Sequence, residues 1–234
     1  MTLLTVVKDV CATVGVQVPS TVFGGIANNR TMQEMLSLAN EMAQRIAYDT
    51  RDWTTMRNAV TFTGDGVQTA FNLPAEYKRM LLTGNVRKTS SPNMPLLFIP
   101  DYDQWIERRL SNTTDARGEW IITDEIMTVW PALGVGESVM FPYIRRNPIR
   151  LAGGGNGEAF MSDDDRFRLD ERLLKLGMIW QWKAQKGSPY AEDMGSYSDA
   201  LANAMGHDGP APILIGRRPV SHHERVAYPW PVPT

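Results

Sequence analysis

The chain has 234 residues, 43% hydrophobic and 21% charged, and its 24 basic against 26 acidic side chains leave a formal charge of −2. That length supports one large or two small domains with an adequate core, and the near-neutral balance excludes a bulk electrostatic pull on nucleic acid. A single cysteine, Cys11, excludes an internal disulfide, while Lys8 and Asp9 interrupt the apolar start where a secretory signal would not. With no apolar run of membrane-spanning length, the expectation is a soluble intracellular protein.

In chain order, Thr2 is placed to cap a helix carrying Leu3, Val7, Val10 and Val14 on one face, ended by Gly15. A second helix follows, with Met32, Met35, Ala39, Met42 and Ile46 in a 3-4-3-4 rhythm. From Arg57 the period changes. "NAVTFTGDGVQTAFNLP" predicts two strands hairpinned around Gly-Asp-Gly, and "EWIIT" with "IMTVWP" predicts a second hairpin around Asp124-Glu125. Between them "PDYDQWIERRL" predicts a short helix with Asp101 or Asp103 at its start. "SVMFPYIRR" predicts a strand that Pro142 confines to an edge or a bulge.

The helical period returns at Leu169, Leu173, Leu176, Trp180 and Ala184, ending at Gly187. Ser188-Pro189 then predicts a new helix with Tyr190, Met194, Tyr197, Leu201 and Ala204 on one face. The order of helix pair, β block and helix pair predicts an α+β fold. In it, a helical bundle of N- and C-terminal helix pairs (1–55 and 151–205, the latter with its leading loop) carries an inserted, mainly antiparallel β domain (56–150). The remainder, 206–234, holds six of the fifteen prolines yet keeps several large apolar residues, which predicts an extended arm that docks on a partner.

Candidate chemistry is sparse. Asp163, Asp164 and Asp165 lack the alternating ligands and closing glutamate of a calcium loop, and Ser162 with Asp165 has the spacing of a helix cap. Gly153 to Gly157 lacks the lysine and hydroxyl of a phosphate loop and predicts a mobile turn. His222 and His223 are adjacent, with His207 the remaining histidine, so they converge poorly on a metal. Nothing marks a base for Cys11. The expectation is no catalytic, metal or cofactor site and no enzyme. A cell-wall hydrolase, needing paired carboxylates in one cleft, and a nucleic-acid module remain the alternatives. Trp105 and Trp120 are candidate interface anchors, or else ordinary core.

The stretches "LANEMAQRIAYDTRDWTTMRNAVTFT", "FNLPAEYKRML", "GEWIITDEIMTVWP" and "SDDDRFRLDERLLKLGMIWQWKAQKGSPY", in that order, resemble the head-to-tail adaptor (connector) proteins of tailed bacteriophages. The resemblance runs from Leu3 to about Leu201. It implies a structural virion protein in the neck, assembled in the host cytoplasm as a ring of about twelve copies, without cofactor. The implied partners are the portal protein and the downstream tail or nozzle proteins, with genome DNA passing through the lumen unbound. The resemblance also implies that the C-terminal arm runs along portal subunits. Ile213, Leu214, Ile215, Arg217, Arg218, Tyr228 and Trp230 are its candidate gripping residues.

Overall fold

The structure, a computed structural model, describes residues 1–24, 26, 29–81 and 84–209. Two local signals start the fold. Helix α1 (Leu3–Val14) is capped by the Thr2 hydroxyl, which accepts the Thr5 N–H, and stops at Gly15 with φ 74°. Helix α2 (Arg30–Tyr48) is capped by Asn29, whose side chain accepts the Met32 N–H, and all five residues of its predicted stripe are buried.

The β block begins after one 3-10 turn at Thr54–Met56. Strands β1 (Arg57–Thr63), β3 (Tyr77–Met80) and β4 (Arg87–Lys88) all pair antiparallel with β8 (Ser138–Arg145). A second sheet runs in the order β2 (Ala70–Asn72), β7 (Ile126–Trp130), β6 (Glu119–Thr123), β5 (Leu97–Phe98), with only the β5–β6 pair parallel. The short strands β9 (Ile149–Arg150), β10 (Asn156–Gly157) and β11 (Arg166–Phe167) form a third sheet.

The first predicted hairpin does not form. β1 pairs with β8, while β2 pairs with β7. The Gly64–Gly66 turn is instead tied to the 133–137 loop, because Gly64 N–H donates to Glu137 O and Gly66 N–H to Leu133 O. The chain therefore crosses from one sheet to the other, and Phe62 and Phe71 meet at 5.2 Å between ring centroids. The second hairpin forms as expected, with Asp124 and Glu125 at φ 51° and 61°, the positive pair a tight type I′ turn requires.

Pro142 does not mark an edge, since β8 lies between β1 and β3. Facing β1 it stands opposite Ala59, but on the other side it falls between the β3 register, ending at Tyr143, and the β4 register, starting at Met140. A proline is tolerated there because that side of the strand lacks a ladder partner at Pro142. Both sheets contribute to one core: Phe71, Trp120, Met127 and Val129 from one, Val139, Phe141 and Tyr143 from the other.

Helix α3 (Tyr102–Leu110) covers the outer face of the second sheet. Asp101 caps it as expected, and Trp105 packs with Ile99 and Ile121. Arg109 lies 3.8 Å from the Trp130 ring centroid and 5.6 Å from that of Trp105. Arg108 bonds the fully buried Glu119, whose Oε1 also accepts the Asp115 N–H at 2.9 Å.

The remaining helices close the molecule. α4 (Glu171–Gln185) packs against α1, α2 and α5 (Ala191–His207) in a second core distinct from that of the sheets. α4 starts later than the Ser162/Asp165 spacing predicts, with Asp170 as its cap, because residues 166 and 167 are first drawn into β11. Its buried face is also offset from the predicted one. Leu173 is buried, but with it go Leu174, Gly177, Met178 and Trp182 rather than Leu176, Trp180 and Ala184, since α1 and α2 both press on α4. Pro189 does not open α5, which starts at Ala191 after Tyr190 has packed on Trp180. Of its predicted stripe only Tyr197 is fully buried, since α5 is an outer helix held mainly by α4.

Replacing Arg108 with alanine strands a buried carboxylate, so we predict a loss of about 2–3 kcal/mol in urea unfolding. The double change of Arg108→Met and Glu119→Gln should recover most of it.

Candidate interaction surfaces

The aspartate triplet organises loops. Asp163 accepts the Val22 and Phe23 N–H groups at 2.9 and 3.2 Å and the Thr21 hydroxyl, joining the α1–α2 connection to the approach to α4. Asp165, buried, accepts three N–H groups: Ala152 at 2.9 Å, Met161 at 2.7 Å and Ser162 at 2.8 Å. Both acids serve N–H groups as a cap would: Asp165 takes the Ser162 N–H that the cap-box spacing implies, although no helix follows at once, while Asp163 serves the remote α1–α2 connection. Among the described residues no group of acids, histidines and cysteines could hold a metal ion. Gly154 and Gly155 stand at φ 93° and 85°, the positive angles read from the glycine run.

Cys11 lies in the helical core, where burial pushes its thiol above the ordinary value, the opposite of an activated nucleophile. His207 closes α5 with Nδ1 2.7 Å from Asn203 O, while His222 and His223 lie outside the described residues. Trp105 and Trp120 are 6% and 3% exposed, so neither is available as an interface anchor, and both are core.

What the β block does expose is the other side of α3. Tyr102, Ile106 and Leu110 succeed one another at four-residue spacing and are 57%, 39% and 83% exposed. They form an apolar stripe that the other described residues leave uncovered, with Asp103 and Glu107 beside it. This i, i+4, i+8 signal stands in "DYDQWIERRL" but is eclipsed by the tryptophan. Elsewhere in the β block an open groove of about 590 Å³ runs past Tyr77, Met80, Leu96, Phe98, Arg117 and Trp120.

The end of α5 is tied to the start of the β block. Asp208 accepts the Thr54 N–H through both oxygens at 3.0 and 3.2 Å and faces Arg51 at 3.5 Å, and Arg51 also bonds Met205 O. The last described stretch is thereby pinned where α2 gives way to the β block. The arm residues Ile213, Leu214, Ile215, Arg217, Arg218, Tyr228 and Trp230 all lie outside the described residues.

A family model described as SU10 adaptor protein matches residues 1–214. The chain belongs to this family of phage head-to-tail adaptors. No curated protein matches it. The match spans both cores of the adaptor and the pinned end of α5, and it reaches five residues past the last described residue.

Inside the adaptor one carboxylate ties the first sheet together. Glu76 Oε1 accepts from the Tyr143 hydroxyl at 2.6 Å and from Asn58 Nδ2 at 2.7 Å, with Arg145 3.7 Å away. Burial opposes its charge, but these hydrogen bonds and the Arg145 and Arg168 guanidiniums outweigh it and leave the carboxyl below its ordinary 4.5. Tyr143 is pushed up to about 12, first by burial and then by Glu76.

A depressed carboxyl stabilises the fold above its unfolded value and ceases to do so as pH falls through the folded one. We therefore predict that Glu76→Gln lowers Tm at pH 7, and that the gap from wild type closes as pH drops below 4.5. Melting curves across pH 3–7 check this, and a gap that widens in acid would contradict it.

Proposed function

We propose that this adaptor is a structural virion protein, not an enzyme, whose copies form a ring that joins the portal to the tail and lines the DNA exit channel. In this reading the helices of 1–55 and 151–205 make one bundle that frames the ring, and the β block of 56–150 is inserted between them. The observation that carries the reading is the family match across nearly the whole chain. The near-neutral charge supports it as well, because a conduit that bound phosphates by counterion release would retain the genome it must pass. No helix among the described residues is long and apolar enough to cross a membrane.

Residues beyond Gly209 are the portal anchor in this reading. Burying Ile213, Leu214 and Ile215 would yield ~1.5–3 kcal/mol each. Ordering an extended segment costs roughly 1–2 kcal/mol per residue, so a single arm grips weakly. A ring multiplies the grips, since each docked copy raises the effective concentration of the next. Arg217 and Arg218 suit fork-type pairing with portal carboxylates. The pinning of Asp208 to Thr54 gives every arm the same point of departure.

Truncation after Gly209 tests this, because it keeps Asp208 and therefore the end of α5. We predict a chain with unchanged circular dichroism and Tm that no longer co-sediments with portal rings. Undiminished attachment of the truncated chain would refute the anchor.

A further inference from the structure

Two exposed like-charge doublets stand without an ion-pair partner among the described residues. On β9 and β11, Arg150 and Arg166 are directly opposed across antiparallel strands, both side chains exposed, and neither joins an ion pair among the described residues. Directly opposite residues hold their Cβ atoms about 5 Å apart, close enough for two guanidiniums to repel. Arg145 and Arg168 reinforce the positive field: Arg168 is pushed below its ordinary value first by burial and then by the Arg145 and Arg150 guanidiniums.

On α3, Asp103 and Glu107 are four residues apart, exposed, and likewise in no ion pair among the described residues. That spacing places their Cβ atoms about 5–6 Å apart, again a repelling pair. Beside them runs the uncovered stripe of Tyr102, Ile106 and Leu110.

The two doublets have opposite sign and nearly equal spacing. Within the chain they belong to different parts, the basic one over the helical core that holds Ile149 and Phe167, the acidic one on the outer layer of the β block. We infer that the α3 face of one copy docks on the β9–β11 sheet of a second copy, with Asp103 and Glu107 against Arg150 and Arg166. The arginine stems lie along Tyr102, Ile106 and Leu110 and remove them from water while the guanidinium forks engage the carboxylates. A joint between two different patches is head-to-tail, the kind that forms a ring when the rotation between copies closes. The inference rests on the ring reading and names the subunit joint within it.

Charge reversal tests it with the full-length chain on purified portal rings, counting bound copies by native mass spectrometry. Variant one carries Asp103→Lys and Glu107→Lys, and variant two carries Arg150→Glu and Arg166→Glu. Each then bears doublets of one sign only, and each is expected to bind at least tenfold more weakly than wild type. Mixed in equal amounts they again present opposite signs at every joint, and full occupancy should return. Misfolded variants could not complement one another in this way.

If wild type never collects more than one copy per portal, the ring reading and this joint both fall. If wild type fills the portal and both variants do so equally well, the ring stands and the joint is wrong. The joint is equally overturned if the mixture stays as weak as its parts. It is also overturned if variant two assembles normally but loses retention of duplex DNA at low salt, which would assign the arginines to phosphates.

Discussion

The adaptor depends on one packing relation, the seating of α4 between α1, α2 and α5. Gly177 lies at this contact: a Cβ there would displace the flexible end of Met42 and press on the Tyr197 ring at 3.3 Å. The approach to α4 is locked to the start of the chain as well, since Leu3 N–H donates to Asp165 O and Leu4 N–H to Asp163 O. Residues more than 150 positions apart thus share one core. Between α2 and α4 the chain leaves that core to build the sheets and rejoins it at Ile144, Ile149, Phe160 and Phe167.

That constraint gives the rest its form. The β block buries aromatics of its own between two sheets, while Met56, Ile144 and Ile149 join it to the helical core. α3 is left on the outside, its tryptophan inward and its Tyr102–Ile106–Leu110 stripe outward. α5, held from one side, ends at the joint between the two cores because Asp208 reaches Thr54 there. A firm frame, an outward apolar stripe and a fixed point of exit are what a component needs if its contacts are to be made with other chains.

Elements governed by local chemistry were legible in the sequence. α1 and α3 are capped by Thr2 and Asp101, both legible as cap candidates, and the α2 stripe is buried as its period requires. Pairings between distant residues were not legible. The partner of β1 lies some eighty residues away in β8, and no turn signal announces it. The α4 stripe misled because neighbours press on that helix from several sides, which makes period alone insufficient to orient it. Asp165 accepts the Ser162 N–H as the cap-box spacing implies, but no helix starts there, and the Val22 and Phe23 donors of Asp163 are not legible from the sequence. At the surface, the bulk of Trp105 and Trp120 drew notice that belonged to the smaller residues around them, because tryptophan is a prime anchor in cores and interfaces alike.

The most direct test of the account is a cryo-electron microscopy map of the adaptor bound to its portal. The account predicts several copies per portal, each with α5 ending against Thr54 and the segment after Gly209 traceable along portal subunits. A map with the adaptor in place and that segment touching no portal chain would contradict it.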